Sequence, residues 1–319
     1  MDKYLDSKKV LFIAPIFFGY EKDIQAELER QGASVTFIGD DKRVWNGNLL
    51  PIKKVVKETY DYLFVIKGEY VQESVLEIFK ESNPKAECIL YQYDTLKRYP
   101  HIIKLFDLFD RIYSFDIEDC EKYNLILRPL FFVNTEKNDT FIKYDISSIA
   151  SYYPERLQMI QKLKKQCKKD NIKCYFYLYL YWKGFVRNFV RLYKYFFDIN
   201  LKSLSKEKML AILDATKAVL DVPVEKQDGL TMRTFEVIGK GKKLITTNTS
   251  IVKYDFYNND NIFLLGSDNV ADIKRFLTVE KQNTPKEILD KYSLSFFCRV
   301  MFCNIKISYL NVLEDRNNQ

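Results

Sequence analysis

Residues 228–248 read DGLTMRTFEVIGKGKKLITTN, and this stretch decides the fold. It opens with an Asp-Gly pair, which is a turn signal. The pattern then predicts a helix over 231–238 that ends at Gly239 and Gly241, because glycines commonly close helices. A short buried strand over 243–247 follows, with a polar residue at its tip. The unit therefore consists of a loop, a helix, a glycine-rich stop and a strand.

The start of this predicted helix carries chemistry suited to an anion and a sugar. Its free N–H groups and partial positive charge suit phosphate, and Arg233 on the first turn adds a bidentate clamp. Glu236 lies one turn further on the same face, where its carboxylate can accept hydrogen bonds from two vicinal hydroxyls, as ribose presents. In the alternative interpretation, an ordinary amphipathic helix buries Met232, Phe235 and Ile238, and the glutamate is a solvated surface residue.

The spacing of this stretch resembles the donor-binding motif of GT-B glycosyltransferases. In that motif an acidic residue, seven spacers and a Glu precede a small glycine-containing turn and a strand, and here Asp228 and Glu236 have this spacing. Together with the following YDFYNNDNI, the stretch looks like a bacterial branch that builds capsule and lipopolysaccharide. Asp228 departs from the pattern because the wider family usually has Glu there, and its shorter arm weakens the expectation of direct contact with the donor sugar.

The resemblance implies an α/β fold of the GT-B type. That fold has two facing Rossmann-like domains with parallel sheets, and C-terminal helices that cross back to the first domain. It also implies a nucleotide-sugar as co-substrate, with no further cofactor and no bound metal. The donor-binding residues implied by the motif are Asp228, Gly229, Met232, Arg233, Glu236, Thr247 and Asn248.

Composition is that of a globular protein with room for two domains. The chain has 319 residues, of which 47% are hydrophobic and 29% charged. The formal charge of +7 is compatible with an anionic donor and an anionic membrane surface, and no nucleic-acid-binding module is recognisable. Six cysteines without a C-x-x-C pair and a single histidine disfavour zinc and favour a reducing cytosol. Neither a signal peptide nor a transmembrane run is predicted.

The first half of the chain alternates strands and helices, which predicts a doubly wound parallel sheet. The first strand, over 10–14 (VLFIA), is continuously apolar, as a central parallel strand requires. No G-x-G-x-x-G fingerprint follows it, which disfavours a tightly bound dinucleotide. The further predicted strands are 34–38, 62–66, 88–91, 111–115 and 124–127, and the predicted helices are 21–31, 52–59, 72–82, 100–109 and 117–122.

Ligands in such sheets bind at the carboxyl ends of the strands, and Asp94 is the preferred general base there. Inverting sugar transfer needs a carboxylate or a histidine to deprotonate the acceptor hydroxyl. Asp94 follows the strand 88–91, although an Asp in a loop or at a helix N-cap is an equally ordinary reading. Glu21, Tyr20 and His101 are weaker candidates, of which Glu21 is retained as a catalytic residue.

A polar stretch at 134–143 (NTEKNDTFIK) is the best linker between two domains. The predicted domains are 1–136 for the acceptor, 143–295 for the nucleotide-sugar and 296–319 as a crossover tail. In GT-B enzymes the first loop of the second domain faces the donor phosphates, so Ser151 and Arg156 become candidates by that resemblance.

The second half continues the alternation and contains one unusual segment, 181–197 (YWKGFVRNFVRLYKYFF), which is both basic and aromatic. It is interpreted as a surface that lies on a membrane or as a loop and helix that pack on the core with their cationic heads exposed. A third, weaker interpretation is a surface on which single-stranded nucleic acid stacks. The other predicted elements are the strands 144–150, 173–180, 218–221 and 262–265, and the helices 155–170, 206–216, 271–277 and 285–296.

The resemblance and the residues together predict a glycosyltransferase that moves a sugar from a nucleotide-sugar to a growing surface glycan, either lipopolysaccharide core or capsule. The expected partners are the donor, a glycan or glycolipid acceptor, and peripherally an anionic membrane, with the protein in the cytoplasm or at the inner face of the membrane. Two alternatives stay open: a sugar-nucleotide epimerase of the same fold, and a noncatalytic scaffold that binds sugar or lipid.

Overall fold

The computed structural model describes residues 3–45, 58–134, 140–224, 228–266 and 269–311. Most of the predicted helix 52–59 and half of the predicted linker 134–143 lie outside these ranges. The chain divides into two compact units: Met1–Val133 with Lys291–Tyr309, and Asn134–Asp290 with Leu310–Gln319. The finer domain boundaries 1–136, 143–295 and 296–319 stay a prediction.

The first unit is built on a parallel six-stranded sheet in the order β2-β1-β3-β4-β5-β6. This confirms the predicted doubly wound sheet. The strands are β1 (Lys9–Ala14), β2 (Ser34–Gly39), β3 (Tyr62–Ile66), β4 (Glu87–Gln92), β5 (Arg111–Ser114) and β6 (Ile126–Leu127). Helices α1 (Tyr20–Arg30), α2 (Lys42–Trp45), α3 (Glu73–Ser82) and α4 (Ile117–Tyr123) accompany them, with a 3-10 segment at Pro100–Leu108.

The second unit is a parallel six-stranded sheet in the order β12-β11-β10-β7-β8-β9. Its strands are β7 (Tyr144–Ser151), β8 (Cys174–Tyr179), β9 (Ile199–Asn200), β10 (Thr216–Asp221), β11 (Lys243–Thr246) and β12 (Ile262–Leu264). Its helices are α5 (Pro154–Asp170), α6 (Trp182–Arg187), α7 (Phe189–Leu192), α8 (Lys206–Asp214), α9 (Met232–Gly239), α10 (Ile273–Thr278) and α11 (Lys286–Asp290). Numbered within the unit and read from β9, the order is 3-2-1-4-5-6, which is the order of a Rossmann sheet.

The predicted helix and strand of the stretch 228–248 form, with small differences at their ends. Helix α9 includes Gly239 as its last residue, and Gly241 is the glycine with left-handed backbone, at a φ of 63°. The strand ends at Thr246 rather than at Thr247. The hydrophobic residues of α9 pack inward, and Phe235 and Val237 are fully buried.

The prediction of one helix over 285–296 is wrong, because two helices occupy this part of the chain. The first is α11, and the second is α12 (Leu294–Cys303), which begins afresh where the Ser293 hydroxyl accepts a hydrogen bond from the Phe296 N–H. Helix α12 belongs to the first unit. Its Phe297 side chain is fully buried there, with its ring centroid 4.8 Å from that of Tyr91.

The segment 181–197 packs on the core through only some of its side chains, and its interpretation as a membrane surface stays a prediction. It folds as α6, α7 and a 3-10 segment, Tyr193–Asp198. Phe185 and Leu192 are buried, whereas Phe189 and Phe197 are exposed. No helix in the described part of the chain has the length and apolar character needed to span a bilayer.

Candidate functional site

The carboxyl edge of the second sheet is where a ligand is expected, because the strand order reverses there between β7 and β10. The donor-binding residues selected from the sequence lie at the end of β7 and the start of α5, in the loop between β10 and α9, on α9 itself, and directly after β11.

Asp221, at the end of β10, fixes the start of α9. Its carboxylate accepts hydrogen bonds from the Thr231 hydroxyl at 2.5 Å and from the Thr234 hydroxyl at 3.1 Å. Thr231 is the N-cap of α9, and its hydroxyl oxygen accepts from the Thr234 N–H. Sequence reasoning missed the role of Asp221. The signal was an acidic residue at a strand end, followed by threonines at the start of the next helix.

Asn248 ties the loop before α9 to the end of β11. Its side-chain N–H group donates to the Asp228 carbonyl at 3.1 Å and contacts the Gly229 carbonyl at 3.4 Å, and its side-chain oxygen accepts from the Ser250 N–H. The Ser250 hydroxyl in turn donates to the Asp228 carboxylate. These contacts bring together three of the predicted residues, Asp228, Gly229 and Asn248. They also mean that the Asp228 carboxylate already has a hydrogen-bond partner within the protein. Ser250 was not foreseen.

Arg233 and Glu236 form an ion pair one turn apart on α9. The Arg233 Nη1 to Glu236 Oε2 distance is 2.6 Å, and Nη2 of the same guanidinium lies 2.9 Å from the sulfur of Met209 on α8. Both side chains are largely buried, with exposures of 16% and 9%. The interpretation of Glu236 as a solvated surface residue is therefore wrong. The pair presents one cation and one carboxylate near the start of the helix.

Arg156 bridges the two strands at which the order reverses. Its Nε donates to the Val222 carbonyl just after β10, and its Nη1 donates to the carbonyl of Ser151 at the end of β7. Its guanidinium also lies 5.0 Å from the ring centroid of Tyr153. Burial lowers the pKa of Arg156. The side chain thus holds the edge of the sheet together, and its cationic charge lies beside the candidate site.

The remaining predicted donor residues lie at the same edge. Met232 is the first residue of α9 and is half-buried, and Thr247 directly follows β11 and is also half-buried. Within the described ranges, no group of three His, Cys, Asp or Glu side chains is arranged to hold a metal ion.

In the first unit the strand order reverses between β1 and β3, and a charged cluster follows β3 and β4. The ammonium of Lys67, directly after β3, lies 2.6 Å from Glu69 Oε2, 3.5 Å from Asp94 Oδ2 and 4.0 Å from the ring centroid of Tyr99. Burial lowers the pKa of Lys67, but its hydrogen bonds to Glu69 and Tyr99 outweigh this, and the net pKa is raised. Lys67 directly follows the predicted strand 62–66, and sequence reasoning gave it no role.

Asp94 lies in this cluster with its side chain 29% exposed. Burial raises the pKa of its carboxyl group, whereas Lys67 and Arg98 oppose that shift by stabilising the charged form. Arg98 Nη1 is 3.7 Å from Asp94 Oδ1. A partly buried, partly exposed carboxylate with two cations beside it can act as a proton acceptor.

The other candidates of the first unit are engaged in local structure. Glu21 is buried on the first turn of α1, and its carboxylate accepts from the Phe17 N–H at 3.1 Å, which closes the loop after β1. Tyr20 is buried with its ring against Phe131. His101 is exposed, and its Nε2 lies 2.8 Å from the Glu69 carbonyl oxygen.

Solved structures similar to this chain identify its fold, whereas sequence comparisons find no match. No protein-family profile matches the chain, and no curated protein sequence does. Among solved structures, the lipopolysaccharide outer core galactosyltransferase WaaB in its apo form is 11% identical, with a TM-score of 0.51 over 93% of this chain and 100% of its own. An α1,3-fucosyltransferase is 13% identical, with a TM-score of 0.51 over 96% of this chain and 93% of its own.

A third similar structure is the UDP-forming α,α-trehalose-phosphate synthase from Burkholderia vietnamiensis. It is 9% identical, with a TM-score of 0.55 over 93% of this chain and 96% of its own. At these identities the likeness establishes the fold alone. The chain therefore has the GT-B fold, with two Rossmann-like units that each contain a parallel sheet, and a C-terminal helix that belongs to the first unit.

Proposed function

We propose that this protein is a glycosyltransferase that moves a sugar from a nucleotide-sugar donor to a growing surface glycan, such as lipopolysaccharide core or capsule. The second unit takes the donor, and the first unit takes the glycan or glycolipid acceptor. The similar structures support this choice, since by their names they include a galactosyltransferase that acts on lipopolysaccharide outer core and a fucosyltransferase.

The observation that carries the proposal is the ion pair Arg233–Glu236 at the carboxyl edge of a sheet with Rossmann order. We assign the donor diphosphate to Arg233 and the N-terminal N–H groups of α9, and the ribose hydroxyls to Glu236. Because the two side chains bond to each other at 2.6 Å, donor binding exchanges one ion pair for two charge-assisted contacts. Gly229 lets the chain approach the ligand closely, since it has no side chain.

We assign proton abstraction to Asp94. Its carboxylate takes the proton of the acceptor hydroxyl, the freed oxygen forms a bond to the anomeric carbon of the donor, and the bond from that carbon to the phosphate oxygen breaks. The nucleoside diphosphate leaves with the bonding electrons. Lys67 and Arg98 favour the ionised form of the base, while Arg233 and α9 stabilise the charge of the leaving group.

Nucleotide binding tests the donor site directly. We expect one of UDP, GDP, CMP, dTDP and ADP to raise the thermal midpoint of the full chain, because a ligand at about 100 times its Kd adds about 2.7 kcal/mol of stability. In Glu236→Ala that increase should be lost. Removing one partner of a buried ion pair also costs about 3–5 kcal/mol of stability, so each variant is compared with itself without ligand.

The matched control is Glu287→Ala, which removes an exposed glutamate from α11 of the same unit and should leave the nucleotide effect intact. If none of the five nucleotides stabilises the wild type, the donor site is wrong and a noncatalytic scaffold becomes the better reading. If Glu236→Ala responds as the wild type does, the ribose contact is wrongly assigned.

The proposal includes metal-independent transfer, and activity that persists in the presence of a chelator would support it. It also places the protein in the cytoplasm at the inner face of the membrane, with peripheral contact to anionic lipid. Recovery of the protein in the membrane fraction at low salt and in the supernatant at high salt is the expected result of fractionation.

A further inference from the structure

The second unit carries an exposed apolar surface on residues 181–201. Seven apolar side chains that are at least half exposed make up most of it, and exposure reaches 83% at Val190 and 97% at Phe197. We call these seven the aromatic surface: Trp182, Val186, Phe189, Val190, Tyr193, Phe196 and Phe197. Single exposed apolar side chains are ordinary, but so many within one short segment are not.

Ring contacts join members of the aromatic surface into a continuous cluster. The ring centroids of Phe189 and Tyr193 are 6.2 Å apart, and those of Phe196 and Phe197 are 5.7 Å apart. Phe189 and Phe196 both lie against the buried ring of Phe185, at 5.9 Å and 5.7 Å. Phe185 belongs to a small buried core, so the exposed rings of Phe189 and Phe196 are anchored by their contacts with it.

The charge around the aromatic surface is positive. Residues 181–201 contain four basic side chains and one acidic side chain, and of the basic ones Lys183 and Arg187 are exposed on α6. The acidic one, Asp198, accepts from Lys164 of α5, so its charge is already neutralised. Two contributions hold a protein on an anionic bilayer: burial of apolar side chains and attraction of cations to the negatively charged lipid. An apolar face bordered by cations combines both.

We propose that the aromatic surface docks the protein on a bilayer that contains anionic lipid. The exposed rings enter the headgroup region, and Lys183 and Arg187 contact the lipid phosphates. Self-association through the same surface is disfavoured, because it would bring two basic faces together. The inference names the site of the membrane contact proposed above, and it does not depend on nucleotide binding.

Vesicle flotation of the full chain tests the surface, with vesicles of phosphatidylcholine alone and of phosphatidylcholine with phosphatidylglycerol. We expect the wild type to float with the anionic vesicles and to remain unbound with the neutral ones. Trp182→Ser with Phe197→Ser should weaken the partition by about tenfold or more, since two exposed rings are removed from the interface.

Removal of charge should act separately from removal of rings. Lys183→Gln with Arg187→Gln should weaken binding to anionic vesicles by about 25-fold, at about fivefold for each basic residue. The matched controls are Phe141→Ser, which removes a ring that is 88% exposed outside the aromatic surface, and Lys217→Gln with Lys274→Gln, which removes two exposed lysines elsewhere in the unit. Both controls should bind as the wild type does.

Three results would overturn the proposal. One is a wild type that ignores anionic vesicles, and another is a Trp182→Ser/Phe197→Ser variant that binds them fully. The third is a wild type that is dimeric by light scattering without lipid and becomes monomeric in that variant, which would assign the surface to a second copy. All variants are first checked for an unchanged thermal midpoint and nucleotide response, so that failure of the donor site and failure of the membrane site are told apart.

Discussion

Lys67 has a left-handed backbone, with a φ of 68°, directly after β3. For a residue with a Cβ atom this conformation costs about 1–2 kcal/mol, and the following Gly68 also has positive φ. The turn accompanies a largely buried ammonium that contacts Glu69 and lies 3.5 Å from Asp94. Local strain at the edge of the sheet is therefore offset by an ion-pair network around the proposed base.

The pH dependence of sugar transfer should report on Asp94. The carboxylate must be ionised to accept a proton, so activity should appear as the pH rises through the pKa of Asp94, which burial raises above its ordinary value. Lys67→Met removes a cation that lowers this pKa, and the acid limb of the kcat/KM profile should move to higher pH. Asp94→Asn should lower kcat by about 10²–10⁴-fold, the usual size of general-base catalysis.

Lys104→Met is the control for that profile, because Lys104 is exposed on the 3-10 segment of the same unit. Its profile should overlay that of the wild type. An acid limb that stays in place in Lys67→Met would argue against coupling between the lysine and the base, and an active Asp94→Asn would exclude Asp94 as the base.

At the scale of single elements, α9 is positioned by its N-cap. Thr231 both caps the helix and donates to Asp221 at the end of β10, so one hydroxyl joins strand and helix. The ion pair of Arg233 and Glu236 lies on the first turns of the same helix. The geometry of the proposed donor site therefore depends on a side chain that is not itself assigned to the ligand.

Two substitutions of Thr231 should separate the contribution of its hydroxyl to stability from that of the rest of the side chain. Thr231→Val keeps the shape but loses both hydrogen bonds, and it should lower the free energy of unfolding by about 1–2 kcal/mol. Thr231→Ser keeps the hydroxyl and is the matched control. Urea denaturation of both variants measures the difference, and equal midpoints would show that the cap contributes nothing to stability.

At the scale of the whole molecule, the first unit is completed by residues from the far end of the sequence. Helix α12 supplies Phe297, which packs against Tyr91 of β4 and against Phe131, with ring centroids 4.8 Å and 4.6 Å apart. Arg128 is fully buried, lies 5.0 Å from the Phe297 ring and donates to the Lys291 carbonyl. The core of the first unit thus requires a segment that follows the second unit in sequence.

Phe297→Ala should destabilise the first unit selectively, by about 3–5 kcal/mol. Hydrogen exchange followed by mass spectrometry should show loss of protection in β4 and unchanged protection in β10. The control is Phe141→Ala, which removes an exposed ring and should change neither strand. Equal loss of protection in both strands would contradict the assignment of α12 to the first unit alone.

Sequence reasoning was accurate where the pattern is local. The strand at Lys9–Ala14 and the helix of the 228–248 stretch both follow from apolar runs and from turn and glycine residues that act on their neighbours. It failed at 285–296, where Ser293 starts a new helix, and it missed Asp221 and Lys67. Asp221 contacts Thr231 and Thr234, which the fold brings near it. Lys67 reaches its partners from a left-handed backbone conformation that a lysine rarely adopts.

The sequence by itself determined that the chain forms parallel α/β units and that one helix start combines an arginine and a glutamate one turn apart. Only the tertiary structure decided that these two side chains pair with each other, that Asn248 binds the loop before α9, and that Lys67 lies beside Asp94. The physical reason is range: periodicity and capping act over a few residues, whereas burial, ion pairing and strand order join residues that only the complete fold brings together.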